Sequence, residues 1–214
     1  MTCHRRFAVV AMFVVVSTLV AGPCLAANSD IVINEVSYLG DANDDWIELA
    51  NMGGDTIDVS SWWLCARFVY RQIGGLPIIV GDDYSIGPFE ILVVAAGMDL
   101  DDTASDLGLY ITNSFASTAA MVDFLQWGTS VDVGRSDVAA DKGIWTEFST
   151  NSYDFVPTAP AQTTPAYSGM NGGGGLLTLS SDFTNAAHSQ GAENPLFADG
   201  FESGGTAVWS SAIP

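Results

Sequence analysis

Cations are what this chain lacks. Its 214 residues hold six Lys or Arg against 25 Asp or Glu, a formal charge of −19. Two of the six, Arg5 and Arg6, stand beside His4 ahead of an apolar run from Phe7 to Val20. That run is too short to cross a ~30 Å bilayer core, which takes a helix of about 20 residues. A basic start followed by such a run is the order of a cleaved secretory signal. Cys24-Leu25-Ala26 ends on the small residue a signal peptidase takes, which sets the cut after Ala26. Pro23 stands where a lipoprotein signal carries Gly, Ala or Ser, and so argues against a lipid on Cys24. Phe7, directly after the arginine pair, favours the general secretory route over a twin-arginine one. The mature chain is then 214 − 26 = 188 residues with a charge of 4 − 25 = −21 and no transmembrane span. Arg67, Arg71, Arg135 and Lys142 are too few to make a basic patch. Nucleic acid and anionic lipid are therefore excluded as partners, by repulsion and for want of counterion release.

Cysteine and histidine are nearly as scarce. Cys3 and Cys24 leave with the signal, so Cys65 stands alone and no intrachain disulfide can form. The fold must be held by its core, and Cys65 is expected to fill it as a small apolar side chain. His188 is the one mature histidine, in "NAAHSQGAEN", with no nucleophile elbow near it. One His and one Cys cannot supply a tetrahedral zinc set. Long amphipathic helical patterns are missing, as is any repeat of 20–50 residues.

What is present is a succession of short apolar runs rich in β-branched and aromatic residues, divided by Gly, Asp and Asn turns. This is the rhythm of an all-β sandwich. Strands are expected at about 30–37, 45–51, 62–70, 77–80, 89–96, 107–112 and 119–126, with one short helix near Ser136–Lys142. In "DWIELAN", Ile47 and Leu49 alternate with Trp46 and Glu48, as in a strand covered by core on one side. "EILVVAAG" is apolar on both faces and reads as a central strand. Beyond about residue 128 the composition shifts. "VPTAPAQTTPAYSGMNGGGG" predicts an exposed, extended Gly/Pro/Thr-rich segment with little core of its own, and Leu176 to Leu179 predicts an edge strand.

The runs "IVINEV" (31–36), "DWIELAN" (45–51), "IDVSSWWL" (57–64), "GPFEILVVAA" (87–96) and "MVDFLQWG" (121–128) together resemble the lamin-tail domain. That domain is an immunoglobulin-like β-sandwich found in nuclear lamins and in secreted bacterial proteins. "SQGAENP" (189–195) is similar to the ending common after bacterial copies, and "DGFESGGTAVWS" resembles a short ending shared by many exported Gram-negative proteins. The resemblance divides the chain into a signal peptide (1–26), the sandwich (27–130), a loosely matching part with linker (131–195) and a tail motif (196–214). Residues 67–85 depart from the family's middle strands. The resemblance implies a non-catalytic binding or surface-scaffolding module, with an extracellular protein or polysaccharide as partner. It assigns no catalytic residue.

Three constellations remain for chemistry. Glu35 and Glu48 fall on neighbouring expected strands, and paired carboxylates are what glycoside hydrolysis uses, so an extracellular hydrolase or hydrolase accessory is the alternative function. The plainer expectation is two solvent-facing or turn-bonded acids. Trp62 and Trp63 straddle a strand, where the expectation is a core Trp beside a loop-covered one, and the alternative is an outward ring that stacks on a sugar or a protein partner. Asp41, Asn43, Asp44 and Asp45 in "DANDDW", with "DLDD" at 99–102 as a second set, offer hard oxygens suited to Ca²⁺. Trp46 stands where an EF-hand needs glycine, so the expectation is a solvated acidic turn, with no cofactor required and calcium the one it could take.

Overall fold

The computed structural model describes residues 28–39, 44–128, 134–145, 155–167 and 180–191. Among them the chain forms β1 (Ile31–Ser37), β2 (Trp46–Asn51), β3 (Ile57–Asp58), β4 (Trp63–Ala66), β5 (Val69–Gln72), β6 (Ile78–Val80) and β7 (Ser85–Ile86). It continues through β8 (Ile91–Ala95), β9 (Ser105–Tyr110), β10 (Met121–Gly128), the helix α1 (Ser136–Lys142), β11 (Val156–Pro157), β12 (Thr163–Tyr167) and β13 (Phe183–Ala187). A six-stranded sheet runs β13-β12-β1-β2-β8-β6, a five-stranded one β11-β10-β9-β4-β5, and β3 and β7 form a small ribbon. All pairings are antiparallel except that of β10 with β11. Among the described residues no helix is long and apolar enough to cross a membrane.

The two large sheets share one core. Ile33, Ile47, Leu49, Leu92 and Val94 of the first pack into the same cluster as Leu64, Leu107, Leu109 and Leu125 of the second. Strands β1 and β10 meet across it. The Tyr38 ring, just past β1, stacks on Trp127 at 4.6 Å between centroids. A bulge in β1 between Ile33 and Glu35 breaks the ladder. The Ile33 N–H there donates to the buried Asp123 carboxylate of β10 at 2.7 Å.

Two expectations change. The single strand expected at 62–70 is a hairpin, β4 and β5, closed by Arg67 and Phe68. Both have positive φ, 45° and 65°, as a two-residue turn with the right twist requires. Nothing in the residue types announces that turn, because the usual Asn and Gly are absent. The Pro/Thr-rich stretch is also no bare linker. It supplies β11 and β12, and Val156, Ala159 and Thr164 are buried. With β13, these strands complete both sheets. The helix falls at Ser136–Lys142 as expected, ending on Gly143 at φ 80°. The edge strand expected at 176–179 lies outside the described residues, as do the signal peptide and the tail motif.

Candidate functional site

Glu35 and Glu48 are not solvent-facing. They stand opposite each other on β1 and β2, and both are fully buried. All six residues of β2 are buried, although Ile47 and Leu49 face the core and Trp46 and Glu48 the other side. What covers that other side is the segment after β13. His188 packs edge-on to Trp46 at 6.1 Å. The Ser189 N–H donates to Glu35 Oε1 at 3.1 Å and its hydroxyl to Oε2, while the Thr164 hydroxyl also donates to Oε1. Glu48 Oε1 accepts from Asn34 Nδ2 at 2.6 Å, and Oε2 from the Gly191 N–H at 2.8 Å. Gly191 has φ 73°, and a Cβ there would lie 2.6 Å from Val80. Glycine is required for the strap to lie this close. Burial pushes the Glu48 carboxyl above its ordinary range, partly offset by those two hydrogen bonds, with the Glu35 charge adding to the rise. Every oxygen of the pair accepts a hydrogen bond from the fold. The motif "SQG" thus has a structural task that the sequence alone does not show.

The two acidic loops come together. Leu100 N–H donates to Asp45 Oδ2 at 2.9 Å, and Ala96 N–H to the Asp45 carbonyl. Burial, reinforced by Asp99, Asp102 and Asp44, pushes the Asp45 carboxyl up to about 6. Asp41 and Asn43 lie outside the described residues. Among the described residues no group of three or more His, Cys, Asp or Glu side chains is arranged to hold a metal ion.

Neither of the tandem tryptophans is fully exposed. Trp62 is buried in the core, and Trp63 is half-buried with Phe115 edge-on at 5.9 Å. Cys65 is fully buried and its thiol is pushed up to about 12 by desolvation, so it fills space rather than reacting.

The feature hidden in the sequence is the β4–β5 hairpin. Three of the chain's six Lys and Arg residues, spread over almost seventy positions, gather around it. Arg67 pairs with Asp101. Arg135, arriving just before α1, places its guanidinium 4.9 Å from the centre of the Phe68 ring and donates to the Tyr70 hydroxyl at 3.0 Å. Arg71 donates to the Gly97 carbonyl at 2.6 Å. Tyr70 stacks on Phe115 at 3.9 Å. The turn is held from beneath by the buried Asp106, which accepts the Arg67 N–H and the Arg135 N–H, each at 2.7 Å. Burial pushes that carboxyl up to about 6 despite both bonds. At the tip Phe68 is 55 % exposed and Val69 42 %. The signal that could have found this place is "RFVYR" itself, a cation-rich, aromatic stretch in a chain otherwise poor in cations.

No protein-family model matches the chain, and no curated protein matches it. A search of solved structures finds the archaellum periplasmic stator protein FlaG from Sulfolobus acidocaldarius at 11 % identity, covering 45 % of this chain and 96 % of that one. The TM-score is 0.29, too low for the likeness to carry an argument about this chain.

Proposed function

We propose that the protein is an exported, non-catalytic binding or surface-scaffolding module, an immunoglobulin-like β-sandwich of the lamin-tail type, whose contact surface is the β4–β5 hairpin. The observation that carries this reading is the tip itself. Phe68 leaves a large apolar side chain more than half in water, forfeiting about half of the ~1.5–3 kcal/mol that burial would contribute. It does so in a left-handed backbone conformation that costs about 1 kcal/mol in a residue with a Cβ. Folding alone would favour Asn and Gly at 67 and 68, and such a departure from the locally best residues is typical of functional positions.

The alternative, a hydrolase using Glu35 and Glu48, loses support because both carboxylates are buried under 188–191 with every oxygen engaged. The order of basic, apolar and small residues before Ala27 supports export. Amino-terminal sequencing of the protein from its native host is expected to begin at Ala27. Retention of Met1 would overturn that part. The binding reading is tested by capture from envelope and culture-fluid fractions on immobilised mature chain, compared with Phe68→Ser. Loss of specific capture at unchanged melting temperature supports the hairpin as the surface, and equal capture by both overturns it.

A further inference from the structure

Strand β5 is the last strand of its sheet, with β4 on one side and no described residue paired on the other. The register sets Ala66 opposite Val69 and Leu64 opposite Arg71 across the two-residue turn. In such a hairpin these pairs bond each other, so the N–H and C=O groups of Tyr70 and Gln72 point outward, away from β4. The Tyr70 carbonyl accepts from the neighbouring Arg71 Nη1 at 2.9 Å.

Two of the cations beside this edge, Arg71 and Arg135, form no ion pair among the described residues. Among the described residues of a chain with 25 Asp or Glu, the one ion pair is Arg67 with Asp101. Arg71 and Arg135 bond to carbonyl and phenol oxygens instead, and Arg135 also lies beside the buried Cys65 and Asp106. They also stand on opposite faces of the sheet. Tyr70, opposite Cys65, shares its face with Phe115 and Arg135, whereas Arg71, opposite Leu64, lies on the other. A strand laid along β5 sends alternate side chains to these two faces.

We propose that the hairpin takes up an extended acidic segment of another polypeptide, added to β5 as a further strand. Its carboxylates meet Arg71 on one face and Arg135 on the other, and its apolar side chains lie against Phe68 and Val69. The incoming amide replaces the guanidinium on the Tyr70 carbonyl and frees Arg71 for a carboxylate. Main-chain bonds supply the attachment and the two cations select the sequence. A second copy of this chain is the wrong occupant, because pairing β5 with itself brings like cations together between two bodies of charge −21. At physiological salt the screening length is about 8 Å, so the cationic edge acts locally despite the acidic surface around it.

This inference rests on the binding-module reading and is tested separately from it. The probe is a short acetylated peptide in which pairs of glutamates alternate with pairs of valines, so that each face of the strand carries both, titrated into the mature chain by calorimetry and by amide chemical shifts. Saturable binding is expected, with the largest shifts at Tyr70 and Gln72. It should weaken at least about tenfold when lysine replaces glutamate, when alternate peptide nitrogens are methylated in the register that faces β5, and in Arg71→Glu. The two altered peptides leave the protein untouched, so a folding defect cannot imitate their effect. No saturation, or equal binding by both N-methylated registers, overturns strand addition. Equal binding by the lysine peptide overturns the acidic specificity. A Gln72→Cys chain that crosslinks quantitatively to itself in dilute solution makes a second copy the occupant and likewise overturns the proposal. If the peptide fails while capture still depends on Phe68, the mode of docking is wrong and the binding-module reading stands.

Discussion

Glu48 shows how one residue can mean two things. On a strand whose neighbours alternate, a glutamate pointing away from Ile47 and Leu49 reads as solvated, and that reading takes the direction of the side chain correctly. Its surroundings are set by residues more than 140 positions later, which no local pattern reports. Replacing Glu48 with Gln places an amide N–H₂ among the donors of Asn34 and Gly191, whereas in Glu35→Gln the amide can donate to the Ser189 hydroxyl, which accepts as well as donates. Glu48→Gln is expected to destabilise by about 1–3 kcal/mol, the cost of a buried donor left facing a donor, measured by urea unfolding, and Glu35→Gln by less. A loss below about 0.5 kcal/mol in Glu48→Gln would mean that the strap does not bind that carboxylate in solution. Gly191→Ala should cost a similar amount through the clash with Val80 and the left-handed backbone, again about 1–3 kcal/mol.

At the level of elements, most strands were legible because apolar alternation and Gly/Asp/Asn turns mark them directly. β1, β2, β8, β9 and β10 fall within a few residues of expectation, and α1 coincides with the stretch expected. The hairpin was not legible, because the turn at Arg67-Phe68 is imposed by a buried acceptor, Asp106, and by Arg135, neither of which is near in sequence. β11 to β13 were hidden for a related reason: Pro and Thr read as extended linker until another strand is beside them. A direct test of this account replaces Arg67-Phe68 by Asn-Gly. The change suits the two-residue turn and should stabilise the fold by about 1 kcal/mol, read as a rise in melting temperature, while capture of partners is lost. A marked fall in stability would mean that the tip residues serve folding and not binding.

Taken as a whole, the molecule carries its excess of acid partly inside. Glu35, Glu48, Asp45, Asp106, Asp123 and Asp182 are all buried. Asp45 and Asp106 have carboxyls raised from 3.8 to about 6, and Glu48 is raised as well. A group raised in the folded state binds protons more tightly there than in the unfolded chain. Its contribution is full below about pH 4 and is lost as pH rises through about 6. Stability should therefore increase on going from pH 7.5 to pH 5, by roughly 1 kcal/mol for each of Asp45 and Asp106, seen in urea unfolding at the two values. Asp106→Asn should flatten part of that slope. A protein equally stable or less stable at pH 5 would contradict the raised carboxyls.

The strap over β1 and β2 also sets a schedule. Ser189 follows Glu35 by 154 positions, so Glu35 stays without its protein donors, and Glu48 without one of its two, until the later strands have been delivered. A chain still emerging from a ribosome or a pore can form turns and hairpins, but it cannot close the acidic face. Folding is withheld from the incomplete chain and completed in one late step, with the slow kinetics expected of distant pairings. A fragment ending at residue 130 should accordingly remain protease-sensitive and lack a cooperative melt, however well its strands are written.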